Sequence, residues 1–180
     1  ALEKGFINFS KPDSQDICFV RNGHYSDFIR QYTKREIPEG TFVDESGKVL
    51  GKSKGIFEYT IGQRKGLGIS AKSRLYVIDK DVGSNRIVLG PREKTLVKRF
   101  YVGEVNFIAL DRPRELIKVW VKTRYSQKEA EATLHPLKDD QVMIEYTEPQ
   151  SFVSPGQSAV FYDGDVVLGG GIIRRFEAHD

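Results

Sequence analysis

The spacing of apolar residues changes once along the chain, from a helical period to an alternating one. Near the N-terminus four apolar residues recur at i, i+3, i+4 and i+7, namely Tyr25, Phe28, Ile29 and Tyr32. This spacing places them on one side of a helix over residues 24–35. Pro38-Glu39-Gly40 then breaks the pattern, and alternation of period two follows. We therefore expect a mainly β chain with one short N-terminal helix.

Turn-forming residues divide the alternating part into short strands. Apolar runs flank Asp44–Gly47 and residues 79–85, and each arrangement predicts a hairpin. Residues 138–140 and Asp163-Gly164 predict two more turns. Gly169–Gly171 permits either close approach of neighbouring backbones or a sharp bend. Short strands at regular spacing are typical of a compact antiparallel β-barrel.

The predicted elements group into three parts. Residues 1–36 hold a cysteine-bearing loop and the helix, residues 37–95 a small β-roll central domain, and residues 96–180 the antiparallel β-barrel. The polar and basic stretch Arg92–Arg99 is typical of a linker between the two β parts. A hydrophobic content of 39% is enough to give these parts real cores.

The strand predicted over residues 116–125 alternates most clearly. One face carries apolar residues, and the other carries Lys118, Trp120, Lys122 and Arg124. Cations meet phosphates and an aromatic ring stacks on bases, so this face suits a nucleic acid. Alternatively, it is an exposed strand face whose cations prevent edge-to-edge pairing. The pattern alone leaves both interpretations open.

Charge is distributed unevenly, although the net charge is only +3. Residues 52–128 contain 18 Lys or Arg against 7 Asp or Glu, whereas residues 129–180 contain 3 against 10. A basic middle followed by an acidic end predicts one face for a polyanion. The alternative is a solvated surface with scattered lysines.

A basic, glycine-rich loop lies in the centre of this basic region. Three glycines, Gly62, Gly66 and Gly68, surround Gln63-Arg64-Lys65. Glycines let a backbone approach a phosphate closely, and N–H groups with cations can hold it. The spacing does not match a Walker A loop or a dinucleotide fingerprint. We therefore expect Arg64 and Lys65 to contact an RNA backbone, with a purely geometric turn as the alternative.

Cys18 is the only cysteine, so the chain cannot form an internal disulfide. This suits a reducing cytoplasm, and the absence of a long apolar run predicts a soluble chain outside any membrane. Lys11 and Arg21 could favour a thiolate that acts as nucleophile or sulfur carrier, while nearby aspartates oppose it. The residues alone favour the alternative, an inert, buried thiol. No metal site is predicted.

Four blocks, in order, resemble the tRNA-specific 2-thiouridylases. The first is Lys-Pro-Asp-Ser-Gln-Asp-Ile-Cys-Phe-Val at residues 11–20, and the second is Tyr-Thr-Ile-Gly-Gln-Arg-Lys-Gly-Leu-Gly-Ile at residues 59–69. Thr-Arg-Tyr at residues 123–125 is the third. The last is Ser-Pro-Gly-Gln-Ser-Ala-Val-Phe-Tyr-Asp-Gly-Asp at residues 154–165, followed by Leu-Gly-Gly-Gly-Ile-Ile at residues 168–173. Together they span nearly the whole chain.

The resemblance implies a tRNA-modifying sulfurtransferase. Such enzymes adenylate a wobble uridine with ATP and magnesium, then replace its 2-oxygen with sulfur carried as a cysteine persulfide. Cys18 matches the persulfide-forming cysteine, which takes its sulfur from a cysteine desulfurase or a relay protein. Arg124, Tyr125 and Gln157 match positions that contact tRNA. The implied fold is a β-rich central domain and a barrel like those of translation factors.

The family's adenylating domain carries a Ser-Gly-Gly-x-Asp-Ser pyrophosphatase loop and a second catalytic cysteine, and neither occurs in this sequence. The chain therefore resembles the C-terminal part of a longer enzyme, and we expect it to be inactive alone. The alternative function is a non-catalytic RNA-binding β module with an inert cysteine. An RNA methyltransferase is disfavoured, because no glycine-rich cofactor turn follows a strand.

Overall fold

The computed structural model describes residues 28–29, 31–32 and 38–174. It contains one compact unit up to Pro38 and a second from Glu39 onward. Phe28, Ile29, Gln31 and Tyr32 are helical, and the rings of Phe28 and Tyr32 stack with centroids 5.8 Å apart. The remainder of the predicted helix and Cys18 lie outside the described residues.

The second unit begins with a four-stranded sheet, and both predicted hairpins within it are confirmed. Its strands are β1 (Gly40–Val43), β2 (Val49–Ser53), β3 (Tyr76–Asp81) and β4 (Arg86–Gly90), in the order β2-β1-β4-β3. The β1–β4 pair is parallel, and the two hairpin pairs are antiparallel. Its core consists of Phe42, Tyr59, Leu67, Val77, Ile87 and Leu89.

Aspartates at the strand ends hold the two hairpin turns. The Asp44 carboxylate accepts hydrogen bonds from the Ser46 hydroxyl at 2.6 Å and from the Lys48 amide at 3.0 Å. Because these bonds favour the charged form, chiefly the one from Ser46, the pKa of Asp44 lies below its usual range. Asp81 pairs with Arg86 inside the ladder, so the second turn begins after Asp81 and is shorter than predicted.

A closed six-stranded barrel follows, which confirms the predicted fold class. It is built of β5 (Leu96–Phe107), β6 (Ile117–Lys122), β7 (Ala130–Pro136), β8 (Val142–Ser151), β9 (Ser158–Asp163) and β10 (Val166–Ile173). The closed order is β10-β5-β8-β7-β6-β9, and every pairing is antiparallel. Its interior is apolar; the fully buried side chains include Phe100, Leu134, Ile144, Tyr146 and Phe161. No helix among the described residues is long and apolar enough to cross a membrane.

The predicted linker Arg92–Arg99 is too long. A short 3₁₀ turn, Arg92–Thr95, makes the connection, and β5 already begins at Leu96. The reason is non-local, because β8 extends to Ser151 and pairs Leu96 with Ser151. The sequence of residues 92–99 alone does not indicate that Ser151 is the pairing partner of Leu96. The predicted boundaries of the three parts stay predictions.

The last hairpin confirms the predicted turn but shifts it by one residue. Asp163 pairs with Val166, so the loop residues are Gly164 and Asp165. The prediction of close backbone approach at the three consecutive glycines is confirmed within β10. A Cβ on Gly170 would lie 2.6 Å from the carbonyl oxygen of Ala159, and no L residue fits such a contact without movement.

We predict that Gly170→Ala destabilises the barrel by roughly 1–3 kcal/mol, because its methyl group would overlap the backbone of β9. Gly83→Ala is the control, since its Cβ would meet the nearest atom at an ordinary 3.5 Å. That variant should change the free energy of unfolding by less than about 0.5 kcal/mol. Urea unfolding of both variants measures the difference, and equal midpoints would contradict this packing.

Candidate nucleic-acid interface

The segment after β6 carries two of the predicted tRNA contacts, Arg124 and Tyr125. The strand ends at Lys122, and the amide of Gln127 donates to the Arg124 carbonyl at 3.2 Å, closing a turn. The predicted irregular backbone over residues 124–127 is therefore confirmed. In a regular strand Tyr125 would face inward, like Val119 and Val121. Because the turn ends the strand before this position, Tyr125 is instead 67% exposed.

Hydrogen bonds from the barrel hold this turn at its base. The buried Thr123 hydroxyl donates to Oε1 of Gln127 at 3.0 Å, and the side-chain amide nitrogen of Gln127 donates to the Ser151 carbonyl at 2.9 Å. Thr123 is also hydrogen-bonded to the buried Tyr146, and desolvation raises the pKa of Tyr146 to about 12. The Tyr146 phenol is therefore neutral at physiological pH and adds no charge to the barrel interior.

The Arg124 side chain extends from the turn towards the four-stranded sheet. Its Nη2 donates to the Ile61 carbonyl at 3.1 Å and to the Ser154 hydroxyl at 3.0 Å. The guanidinium carbon lies 5.6 Å from the centroid of the Phe152 ring, a cation–π distance. Burial of the guanidinium lowers the pKa of Arg124 from its ordinary value. Arg124 thus joins the barrel to the loop that follows Tyr59.

Phe152 fills the space beneath Arg124 and rests on Gly62. A Cβ on Gly62 would lie 2.0 Å from Cδ1 of Phe152, so only glycine fits here. Gly62 also has a φ of 86°, a conformation that favours glycine. Gly62 therefore has the geometric role that the sequence left as the alternative, because it lies against an aromatic ring of the barrel, while phosphate contact by the loop stays a prediction. We call Gly62, Arg124, Phe152 and Ser154 the junction.

The junction brings the three predicted contact segments together. Arg124 bonds to Ile61, three residues before Arg64, and to Ser154, three residues before Gln157. Gln157 is exposed, and its amide donates to the Ser154 carbonyl at 3.3 Å. Contact of each of these residues with tRNA stays a prediction, but the fold places the segments that carry them around one point.

A basic groove opens beside the junction. It has a volume of about 530 Å³ and is lined by residues 64–71 and 73–75. Arg64, Lys65 and Arg74 are exposed along it, whereas Leu67 is buried beneath. Gly68, with a φ of 67° and open space around its Cα, keeps the backbone accessible. Exposed cations beside accessible amide groups suit a phosphate backbone.

Sequence reasoning missed three residues that build this site. Gln127 and Ser154 are common polar residues, and only Ser154 lies within a recognised block. Phe152 follows a strand in an otherwise unremarkable stretch, and its partner Gly62 is distant in sequence. No local pattern could have paired them, because the contact forms only after the barrel closes.

Two family models match the chain in sequence. Residues 26–91 match the tRNA methyl transferase PRC-barrel domain, and residues 97–173 match the aminomethyltransferase beta-barrel domain. Their boundary lies at the 3₁₀ turn between the four-stranded sheet and the barrel.

Curated relatives resemble the chain over nearly its whole length. Proteins named tRNA-specific 2-thiouridylase MnmA from Acetivibrio thermocellus and Clostridioides difficile are 48% and 46% identical over 97% of the chain. A third, from Caldanaerobacter subterraneus, is 49% identical over 92%. The chain covers 48%, 48% and 46% of these proteins, so it spans about half their length.

We predict that Gly62→Ala destabilises the chain more than Gly68→Ala. Both glycines have positive φ, so both variants bear the same backbone cost of about 1 kcal/mol. Only Gly62→Ala also drives a methyl group into Phe152, which should add roughly 1–3 kcal/mol. Urea unfolding of the two variants provides the matched comparison.

A second substitution tests whether Phe152 causes the extra loss. Combining Gly62→Ala with Phe152→Ala removes the overlap, so the two changes should cost less together than the sum of their separate effects. Additive losses, or equal losses for the two glycine variants, would show that Phe152 does not hold the junction.

Proposed function

We propose, since the chain belongs to the tRNA-specific 2-thiouridylase family, that it supplies the tRNA-binding surface and the sulfur-carrying cysteine of such an enzyme. One observation supports the binding surface above all others. Arg124 bonds to the segments that lead to Arg64 and to Gln157, so all the predicted contacts surround one junction beside a basic groove.

Different residues of this surface suit different parts of the RNA. Arg64 and Lys65 are exposed along the groove, and each can contact a phosphate as a cation. Tyr125 presents an exposed phenol ring, which can stack on a base or donate to a sugar. Nη2 of Arg124 donates hydrogen bonds within the protein, so a contact between Arg124 and tRNA would use the other terminal nitrogen.

Cys18 would carry the sulfur. Its thiolate attacks the terminal sulfur of a persulfide on a donor such as a cysteine desulfurase, and the donor's cysteine leaves as a thiolate. Cys18 then holds a persulfide, whose terminal sulfur would attack C2 of an activated uridine and displace the activating group with its electron pair. The family's second catalytic cysteine, which belongs to the longer enzyme, would then attack the sulfur of Cys18, so that the S–S bond breaks, the thiouridine leaves and the two cysteines form a disulfide. Cys18 lies outside the described residues, so this role rests on the match of residues 11–20 to the family.

ATP with magnesium belongs to the longer enzyme in this proposal. Among the described residues, no group of three or more His, Cys, Asp or Glu side chains could hold a metal ion. The sequence also lacks the family's pyrophosphatase loop. The residues present therefore do not fit the nucleotide, and we derive no step through it.

Two other functions are less well supported. One family model carries the description of a methyl transferase, but the matched region has no glycine-rich cofactor turn after a strand, and the relatives are named thiouridylases. An RNA-binding module with an inert cysteine has the same surface and differs only at Cys18. Sulfur loading of that residue separates it from the sulfurtransferase.

We predict that the double variant Arg64→Ala, Lys65→Ala weakens tRNA binding and flattens its salt dependence. Each lost phosphate contact should lower the slope of log affinity against log salt by about one, so the pair should lower it by about two. Lys138→Ala, which removes one cation from the turn between β7 and β8, is the control and should leave the slope unchanged. Fluorescence anisotropy with labelled tRNA over a salt series measures both. An unchanged slope in the double variant would place the RNA surface elsewhere.

We also predict that a cysteine desulfurase with free cysteine loads one sulfur atom onto this chain at Cys18. Intact-mass spectrometry should show that addition, which a thiol reductant reverses because a persulfide is reducible. Cys18→Ser should lose the addition while keeping tRNA affinity. Failure to load the native chain, with tRNA binding intact, would favour the RNA-binding module.

A further inference from the structure

We propose that the outer face of the barrel next to Tyr125 carries a stacking site for an unpaired tRNA base, built on Trp120 and Tyr162. The inference rests on the proposed function and extends its binding surface. It assigns a role to the only tryptophan in the chain, which neither the barrel core nor the junction uses.

The strand register places these side chains in one row. Trp120 on β6 pairs with Tyr162 on β9, and Tyr162 pairs with Val167 on β10. Directly opposed residues in an antiparallel pair have Cβ atoms about 5 Å apart, so the three side chains are neighbours on the outer face. Trp120 is 45% exposed and Val167 38% exposed. We call Trp120, Tyr162 and Val167 the aromatic row.

Closure of the barrel removes the strand edge around Trp120. Sequence alone allowed the cations of this face to guard an exposed strand edge, but β6 pairs with β7 over Ile117–Val121 and with β9 over Trp120–Lys122. The second half of the strand is therefore paired on both sides at Trp120 and has no exposed edge there. Edge protection does not explain the indole of Trp120.

Lys122 connects the aromatic row to the junction. Its ammonium nitrogen lies 5.9 Å from the centroid of the Tyr125 ring, a cation–π distance. Lys122 also lies two residues after Trp120, on the same face of β6. Tyr125, Lys122 and Trp120 thus form one continuous surface that leads from the predicted tRNA contact to the aromatic row.

The charge along this surface favours RNA over another protein. Lys122 lies between Tyr125 and Trp120 along the chain. In such an arrangement bases can stack on the aromatic rings while a backbone phosphate contacts the ammonium group. Glu131 is the nearby carboxylate, because it pairs with Trp120 across β6 and β7. Lys118 lies 3.9 Å from Glu131 and offsets its charge, so the carboxylate does not face an incoming phosphate alone.

The single tryptophan provides a direct test. On titration of the native chain with tRNA, stacking on Trp120 should quench the indole fluorescence and reduce its accessibility to acrylamide. Anisotropy of labelled tRNA records binding in the same titration. Binding without any change in indole emission or accessibility would overturn the stacking site and leave the proposed function intact; no binding at all would contradict both.

Substitutions then measure what stacking contributes. Trp120→Ala should weaken tRNA binding about 5- to 150-fold, the range expected for one stacked base, and should leave the salt slope unchanged because no cation is lost. Trp120→Phe should retain most of the affinity. Tyr101→Ala is the matched control, since Tyr101 is 42% exposed on β5, which is not adjacent to β6.

Two outcomes would overturn the proposal. Equal affinity losses for Trp120→Ala and Tyr101→Ala would show a general effect on the barrel, provided urea unfolding confirms that both variants fold. Indole quenching that depends on protein concentration and not on tRNA would make the row a contact between copies of this chain.

Discussion

The packing of Phe152 on Gly62 is the contact on which the rest of the site depends. Phe152 has a φ of 68°, which is strained for a bulky side chain and typically costs about 1–3 kcal/mol. Three contacts surround it: the Phe152 amide donates to the Thr95 carbonyl, the ring lies against Gly62, and the Arg124 guanidinium lies at a cation–π distance from the ring. Because these contacts link the barrel to the four-stranded sheet, the glycine-rich loop and the turn after β6 share one surface.

This arrangement divides the glycine-rich loop between two roles. Its first glycine packs against Phe152 of the barrel, while Arg64 and Lys65, two and three residues later, are exposed. The turn after β6 is divided in the same way, since Arg124 bonds inward to Ile61 and Tyr125 remains outside. In both segments one residue packs or bonds inward, and a residue one to three positions later is exposed. Such preorganisation lowers the entropy lost when a ligand binds.

Sequence reasoning succeeded where the determining contacts are local. Alternation along residues 117–122 predicted which side chains of β6 are buried, and turn residues predicted the hairpins. It failed where the determining partner is distant: β5 begins at Leu96 because Ser151 pairs with it, and Gly62 is a glycine because of Phe152. The candidate site was found through sequence blocks, whereas its geometry depends on Phe152, which carries no local signal.

The proposed tRNA surface consists of the basic groove, the turn after β6 and the outer face of that strand. Ultraviolet crosslinking of tRNA to the native chain, with the attached peptides mapped by mass spectrometry, locates the bound RNA. We expect crosslinks within residues 63–74 and 120–125. Crosslinks confined to the β7–β8 turn around Lys138, with none in those two segments, would contradict it.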